Sequence, residues 1–80
     1  MFDLYKACYM WRKYAGLKQA DILGKEKIPT ISSFENGRST NIKLFERYLE
    51  LAIAMGLKAD FDYFVNYQIE ITIKRGKNNG

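Results

Sequence analysis

The 80-residue chain contains no histidine, a single cysteine (Cys8) and a single proline (Pro29). Without histidine there can be no Ser-His-Asp triad, no Cys-His dyad and no imidazole ligand for zinc, and a lone cysteine forms no disulfide within the chain. No catalytic residue, metal site or cofactor is therefore expected. The carboxylate pairs that remain, Asp60 with Asp62 and Glu46 with Glu50, fall beside helix starts or on solvated faces, where charge is ordinary. Long apolar runs are missing too. The longest uncharged apolar stretch, Leu51 to Leu57, is far below the roughly 18 to 20 residues that a bilayer requires. The first turns carry Asp3 and Lys6 rather than a basic patch followed by an unbroken apolar run, so they do not read as a secretory signal. A soluble protein of the reduced cytoplasm, without membrane contact, is the expectation.

What the chain does have is 48% apolar residues and twelve aromatics: one Trp, six Tyr and five Phe. A domain of this size buries only about 60% of the surface its unfolded chain exposes, so dense aromatic packing or a partner subunit must supply the rest. The formal net charge of +4 is unevenly placed. Residues 12 to 43 sum to +4, from Arg12, Lys13, Lys18, Lys25, Lys27, Arg38 and Lys43 against Asp21, Glu26 and Glu35. Residues 44 to 73 sum to -3, and Lys74, Arg75 and Lys77 add +3 at the end. The middle third is the candidate face for a polyanion.

Hydrophobic periodicity predicts a mostly α chain. Leu4, Cys8, Trp11 and Ala15 form a helical stripe within residues 2 to 14, which places Cys8 in the interior as a small hydrophobe. Gly16 ends that helix, and a short second one follows over about 17 to 24 with Leu17, Ile22 and Leu23 apolar. Pro29 suits the first turn of a third helix, about 29 to 36, with Ile31 and Phe34 buried and Gly37 closing it. Thr40 or Asn41 caps a fourth helix to Met55, whose main face is Ile42, Phe45, Leu49, Ala52 and Ile53, broadened by Leu44, Tyr48, Leu51 and Met55. Gly56 ends it. A short fifth helix is expected over 60 to 65, with Phe61, Phe64 and Val65 apolar. Tyr67, Ile69, Ile71 and Ile73 then alternate with polar residues, which predicts a strand. A lone strand in a helical chain invites pairing with another copy, so these four residues are the candidate dimerisation contacts, in a two-chain ribbon or else against the chain itself. The tail from 75 to 80, without an apolar residue, is expected to be disordered.

Two short helices joined by a polar turn, the second bearing Ser and Thr beside buried Ile31 and Phe34, make a helix-turn-helix whose second helix can enter a major groove. Three segments carry a more specific likeness: Arg12 to Ile22, Ile31 to Arg38 with its Glu35-Asn36-Gly37 run, and Leu49 to Leu57 followed by Asp60 and Phe61. In that order they resemble the Cro/C1-type helix-turn-helix family (the XRE family of repressors) over residues 4 to 65. The resemblance implies a five-helix DNA-binding domain, residues 1 to 66, followed by the strand at 67 to 74. It also implies a homodimer that reads a two-fold symmetric operator and regulates transcription, as a small repressor of the phage Cro kind. By position it makes Gln19 a phosphate ligand that also braces the recognition helix, and it treats Glu35 as structural. Pro29, Thr30, Ser32, Ser33 and Asn36 become the base-contacting candidates. Lys18, Gln19, Arg38, Ser39 and Lys43 become the phosphate-contacting ones, joined by Lys25 and Lys27, which approach phosphate or even bases in a way the family pattern does not predict. The stretch from Gln19 to Ile31 is shorter than the family's usual spacing, so a reshaped turn is expected. A second frame puts Ala20 and Gly24 on the family's small residue and turn glycine but moves Gln19 off its position, and the sequence leaves both frames open. Short hydroxyls read bases less selectively than Arg, Gln or Asn, which points to modest specificity, helped by DNA shape. The alternative is an antitoxin or other protein-interaction module of the same fold, binding a partner through the acidic, aromatic surface of residues 44 to 67.

Overall fold

In the computed structural model, which describes residues 3–78 and side chains as far as Lys74, five α-helices follow one another in the order α1 (Leu4–Tyr14), α2 (Ala20–Leu23), α3 (Ile28–Glu35), α4 (Ile42–Ala54) and α5 (Lys58–Asn78). A single 3-10 turn, Lys25–Lys27, stands between α2 and α3. The core draws on every helix: Ala7, Cys8 and Trp11 from α1, Ile22 from α2, Ile31 and Phe34 from α3, Leu44, Tyr48 and Ala52 from α4, and Phe61 from α5 are all buried. Aromatic edges bind the layers together. Trp11 meets Phe61 edge-on at 5.7 Å between ring centroids, Phe45 lies 5.4 Å from Phe61, and Phe34 stacks on Tyr48 at 5.7 Å. Such pairs add about 0.5–1.5 kcal/mol each beyond the area they bury.

Local signals explain the helix ends. After α3 the Gly37 N–H donates to the Phe34 carbonyl (3.1 Å) and the Arg38 N–H to the Ser33 carbonyl (2.9 Å), a Schellman closure that requires the positive φ of Gly37 (78°). The same pair of bonds closes α1 at Gly16 and Leu17 and α4 at Gly56 and Leu57. Asn41 is the cap of α4, its side chain accepting from the Lys43 N–H at 2.9 Å.

Two expectations change. On α4 the buried line is Leu44, Tyr48 and Ala52, four residues apart, while Ile42 and Ile53 are more than half exposed. The larger correction is at the C-terminal end. No strand occurs among the described residues, and Tyr67, Ile69, Ile71 and Ile73 lie on α5, which runs on from the expected short fifth helix for 21 residues in all. The backbone of the expected tail is helical as far as Asn78, and residues 79 and 80 lie outside the described residues. The cause is a second pattern interleaved with the alternation. Phe61, Phe64, Val65 and Gln68 recur at three and four residues on the packed side of α5, where Phe61, Phe64 and Gln68 meet Trp11, Tyr14 and Met10 of α1, and half-buried Thr72 follows one turn on. Gln68 is buried with its amide against Met10 Sδ (3.3 Å), and Thr72 Oγ1 donates to the Gln68 carbonyl (2.9 Å). A helix also satisfies its backbone groups internally, whereas a strand here has no neighbour in the chain.

Candidate nucleic-acid interface

The position of α3 is fixed from behind by one carboxylate. Glu35, on its last turn, accepts from Arg12 Nε (2.7 Å) and Nη2 (2.9 Å) on α1, from the Tyr48 hydroxyl (2.6 Å) on α4 and from Gln19 Nε2 (3.2 Å) at the start of α2. Arg12 Nη1 also donates to the Leu17 carbonyl (2.9 Å), so the forked guanidinium ties together α1, the α1–α2 turn and α3. The side chains of Arg12 and Glu35 are only 8% and 3% exposed. Burial alone would raise the Glu35 carboxyl, but hydrogen bonds from Arg12, Tyr48 and Gln19 outweigh it and hold the group below its usual range. The Glu35 hydrogen bond raises Arg12 in turn. Tyr48 and Cys8 are pushed well up and stay neutral, both by burial first, then Tyr48 by its hydrogen bond to Glu35 and Cys8 by the Glu35 charge.

From this anchor α3 faces two ways. Ile31 and Phe34 point into the core, Pro29, Thr30 and Asn36 are exposed, and Ser32 and Ser33 are half-exposed. The five base-contacting candidates thus belong to one helix and its cap. Asn36 Nδ2 lies 3.4 Å from Ser32 Oγ, a long contact that leaves both groups free to bond elsewhere.

The turn before α3 is short and contains a glycine. Gly24, with φ of 103°, ends the four-residue α2, and the 3-10 turn brings the chain into α3 with Pro29 in its first turn. Gln19 stands at the start of α2 and donates to Glu35 on α3. Arg47 Nε donates to the Ile22 carbonyl (2.7 Å), securing α2 to α4.

Among the phosphate-contacting candidates, Lys25 and Lys27 are exposed on the 3-10 turn, Arg38 is exposed just past the α3 closure, and Lys18 and Lys43 are exposed at the starts of α2 and α4. Gln19 is half-buried through its bond to Glu35. Ser39 is half-buried on the wall of an apolar cavity of about 390 Å³ formed with Leu4, Tyr5, Phe34, Ile42 and Phe45. Arg12, counted among the surface bases by composition, is internal. Its partner Glu35 is an acid of the same segment, so removing both leaves the exposed balance of residues 12 to 43 at +4. Asp21 and Glu26 are the acids that remain exposed there, and Asp21 accepts from the Lys18 N–H at 2.8 Å.

Sequence reasoning overlooked Arg12 and Tyr48 as the parts of the lock. A signal existed: Arg12 sits four residues after Cys8 and next to Trp11, on the buried side of α1. Among the described residues no group of three His, Cys, Asp or Glu side chains is placed to hold a metal ion, and no helix is long and apolar enough to cross a membrane. Comparison with protein-family models, with curated proteins and with solved structures gives no match to this chain.

Proposed function

We propose that this protein is a double-stranded DNA-binding transcriptional regulator of the cytoplasm, acting as a homodimer that inserts α3 into the major groove of an operator. The observation that carries the reading is the contrast between the two sides of α3. One side is locked through Glu35 to three other elements, while the other leaves short polar side chains accessible between exposed bases, Lys25 and Lys27 before it and Arg38 and Lys43 after it. A rigid helix flanked by cations suits a groove flanked by phosphates. Pro29, Thr30, Ser32, Ser33 and Asn36 then face base edges, and the lysines and Arg38 set the register on the backbone. The charge of residues 12 to 43 supplies the sequence-independent part of the affinity.

Titration of isotope-labelled protein with a random-sequence duplex tests this residue by residue. The expected amide shifts concentrate in residues 18 to 43 and spare 44 to 66. Shifts confined to 44 to 66, or none at low salt, would instead favour the protein-interaction reading.

A further inference from the structure

Beside the side of α5 that packs on the core runs a second regular pattern. Asp60, Tyr63, Tyr67, Ile71 and Lys74 fall within about 40° of one line along the helix. Tyr63 is 64% exposed, Tyr67 42% exposed and Lys74 exposed, while Asp60 and Ile71 are half-buried at the margin, Asp60 accepting from the Tyr14 hydroxyl through Oδ1 (3.1 Å) and keeping Oδ2 for a partner. The Tyr63 and Tyr67 rings stack nearly parallel, 6.4 Å apart and inclined by 14°, which presents a flat apolar surface. Read outward from Tyr67, the spacing is the same in both directions: an apolar residue four positions away, then a charged one three further on. The charges at the two ends are opposite.

We propose that this stripe is the docking surface for a second copy of the chain, with the two α5 helices packed antiparallel about a two-fold axis at Tyr67. Tyr67 then meets the partner's Tyr67, Tyr63 packs on the partner's Ile71, and Asp60 faces the partner's Lys74, each contact occurring twice by symmetry. Charge selects the orientation. A parallel pairing in the same register sets Asp60 on the partner's Asp60 and Lys74 on the partner's Lys74, a repulsion at both ends, whereas the antiparallel pairing turns both into attractions. Tyrosine at the centre and charge at the rim is the usual anatomy of a protein interface. Buried Gln68, whose amide reaches Met10 on α1, anchors the adjoining side of α5, about 100° round the helix from Tyr67, and leaves the Tyr63 and Tyr67 rings exposed. This inference deepens the homodimer part of the proposed function, and its test contains no DNA, so either can fail alone.

Cysteine cross-linking on the full chain under mild oxidation reads the register directly, with buried Cys8 in the unsubstituted chain as the unreactive control. Tyr67→Cys is expected to give a disulfide-linked dimer. Tyr63→Cys alone and Ile71→Cys alone are not, while a mixture of those two variants is. Self-linking of Tyr63→Cys and of Ile71→Cys without mixed linking would overturn the antiparallel arrangement. In sedimentation equilibrium, Asp60→Lys and Lys74→Asp should each weaken association by about tenfold, and the double exchange should recover most of it. An unsubstituted chain that stays monomeric at several hundred micromolar, or a dimer indifferent to these exchanges and to Tyr67→Glu, would overturn the proposal.

Discussion

Substitution of Glu35 by glutamine keeps the size of the side chain and removes the charge that faces Arg12. With the two side chains 8% and 3% exposed, water cannot replace the lost partner, and the guanidinium is left buried without its counter-charge. Breaking a buried pair in this way costs about 3–5 kcal/mol. The Tyr48 hydroxyl and one Arg12 N–H still find the amide oxygen, so the lower end, about 3 kcal/mol, is expected. Against a total of about 4–12 kcal/mol for a domain of this length, that is a large fraction. Urea denaturation followed by the fluorescence of Trp11, the single tryptophan and fully buried, measures it without a label. The pair Arg12→Met with Glu35→Leu should return to within about 1 kcal/mol of the parent, because removing both charges removes the desolvation cost as well. A Glu35→Gln loss below about 1 kcal/mol, or a double variant no better than the single, would refute the reading of this cluster as a desolvated lock.

Other outcomes follow from the same structure. A Cβ on Gly37 would stand 2.8 Å from Tyr5 Cζ with φ at 78°, whereas one on Gly16, which closes α1 in the same way with φ at 76°, meets nothing within 4 Å. Thermal melts should therefore show Gly37→Ala as clearly more destabilising than Gly16→Ala, whose cost is the left-handed conformation alone, about 1–2 kcal/mol. Glu35 is depressed in the fold from an ordinary 4.5, so its stabilisation is present above that value and is lost as the pH falls through the lower folded one. Melting temperature should hold down to about pH 5 and then drop, with a shallower acid limb in Glu35→Gln. Cys8 and Tyr48 are raised from 9.0 and 10.0, so their contribution is complete below those values and is lost as the pH rises above them. Tyr48→Phe should flatten that alkaline limb. On DNA, Arg38→Ala should weaken binding to all duplexes alike and lower the salt slope by about one, while Ser33→Ala should act only on preferred sequences; the reverse pattern would reassign both contacts.

Much of this architecture is legible in the sequence because it is written in local chemistry. Gly16, Gly37 and Gly56 stand where three helices close, Asn41 caps α4, and Ile31 with Phe34 marks the inner face of α3. Less legible are features decided by neighbours. Apolar residues surround most of α4, so its pattern does not choose between the line through Ile42 and Ile53 and the line through Leu44, Tyr48 and Ala52; the packing of α3 and α5 chooses. Between Tyr67 and Ile73 the two-residue alternation is more conspicuous than the stripe of Gln68 and Thr72, since those residues are polar and do not advertise burial. Arg12 hides for the same reason, an ionic side chain on an apolar stripe whose partner lies 23 residues away. At the candidate interface the sequence placed the exposed residues of α3 and most of the flanking bases in the open, but it left Ser39 undistinguished from Arg38 and the shape of the turn undecided.

The central claim is that the face carrying α3 and its surrounding bases binds duplex DNA, and its most direct test is the salt dependence of fluorescence anisotropy on a random-sequence duplex. A dimer that touches roughly 6 to 8 phosphates is expected to give a log-log slope near -5 to -7. The slope should become shallower when Lys25, Lys27 and Arg38 are replaced together by alanine. Absence of binding at low salt, or a slope near zero, would contradict the account.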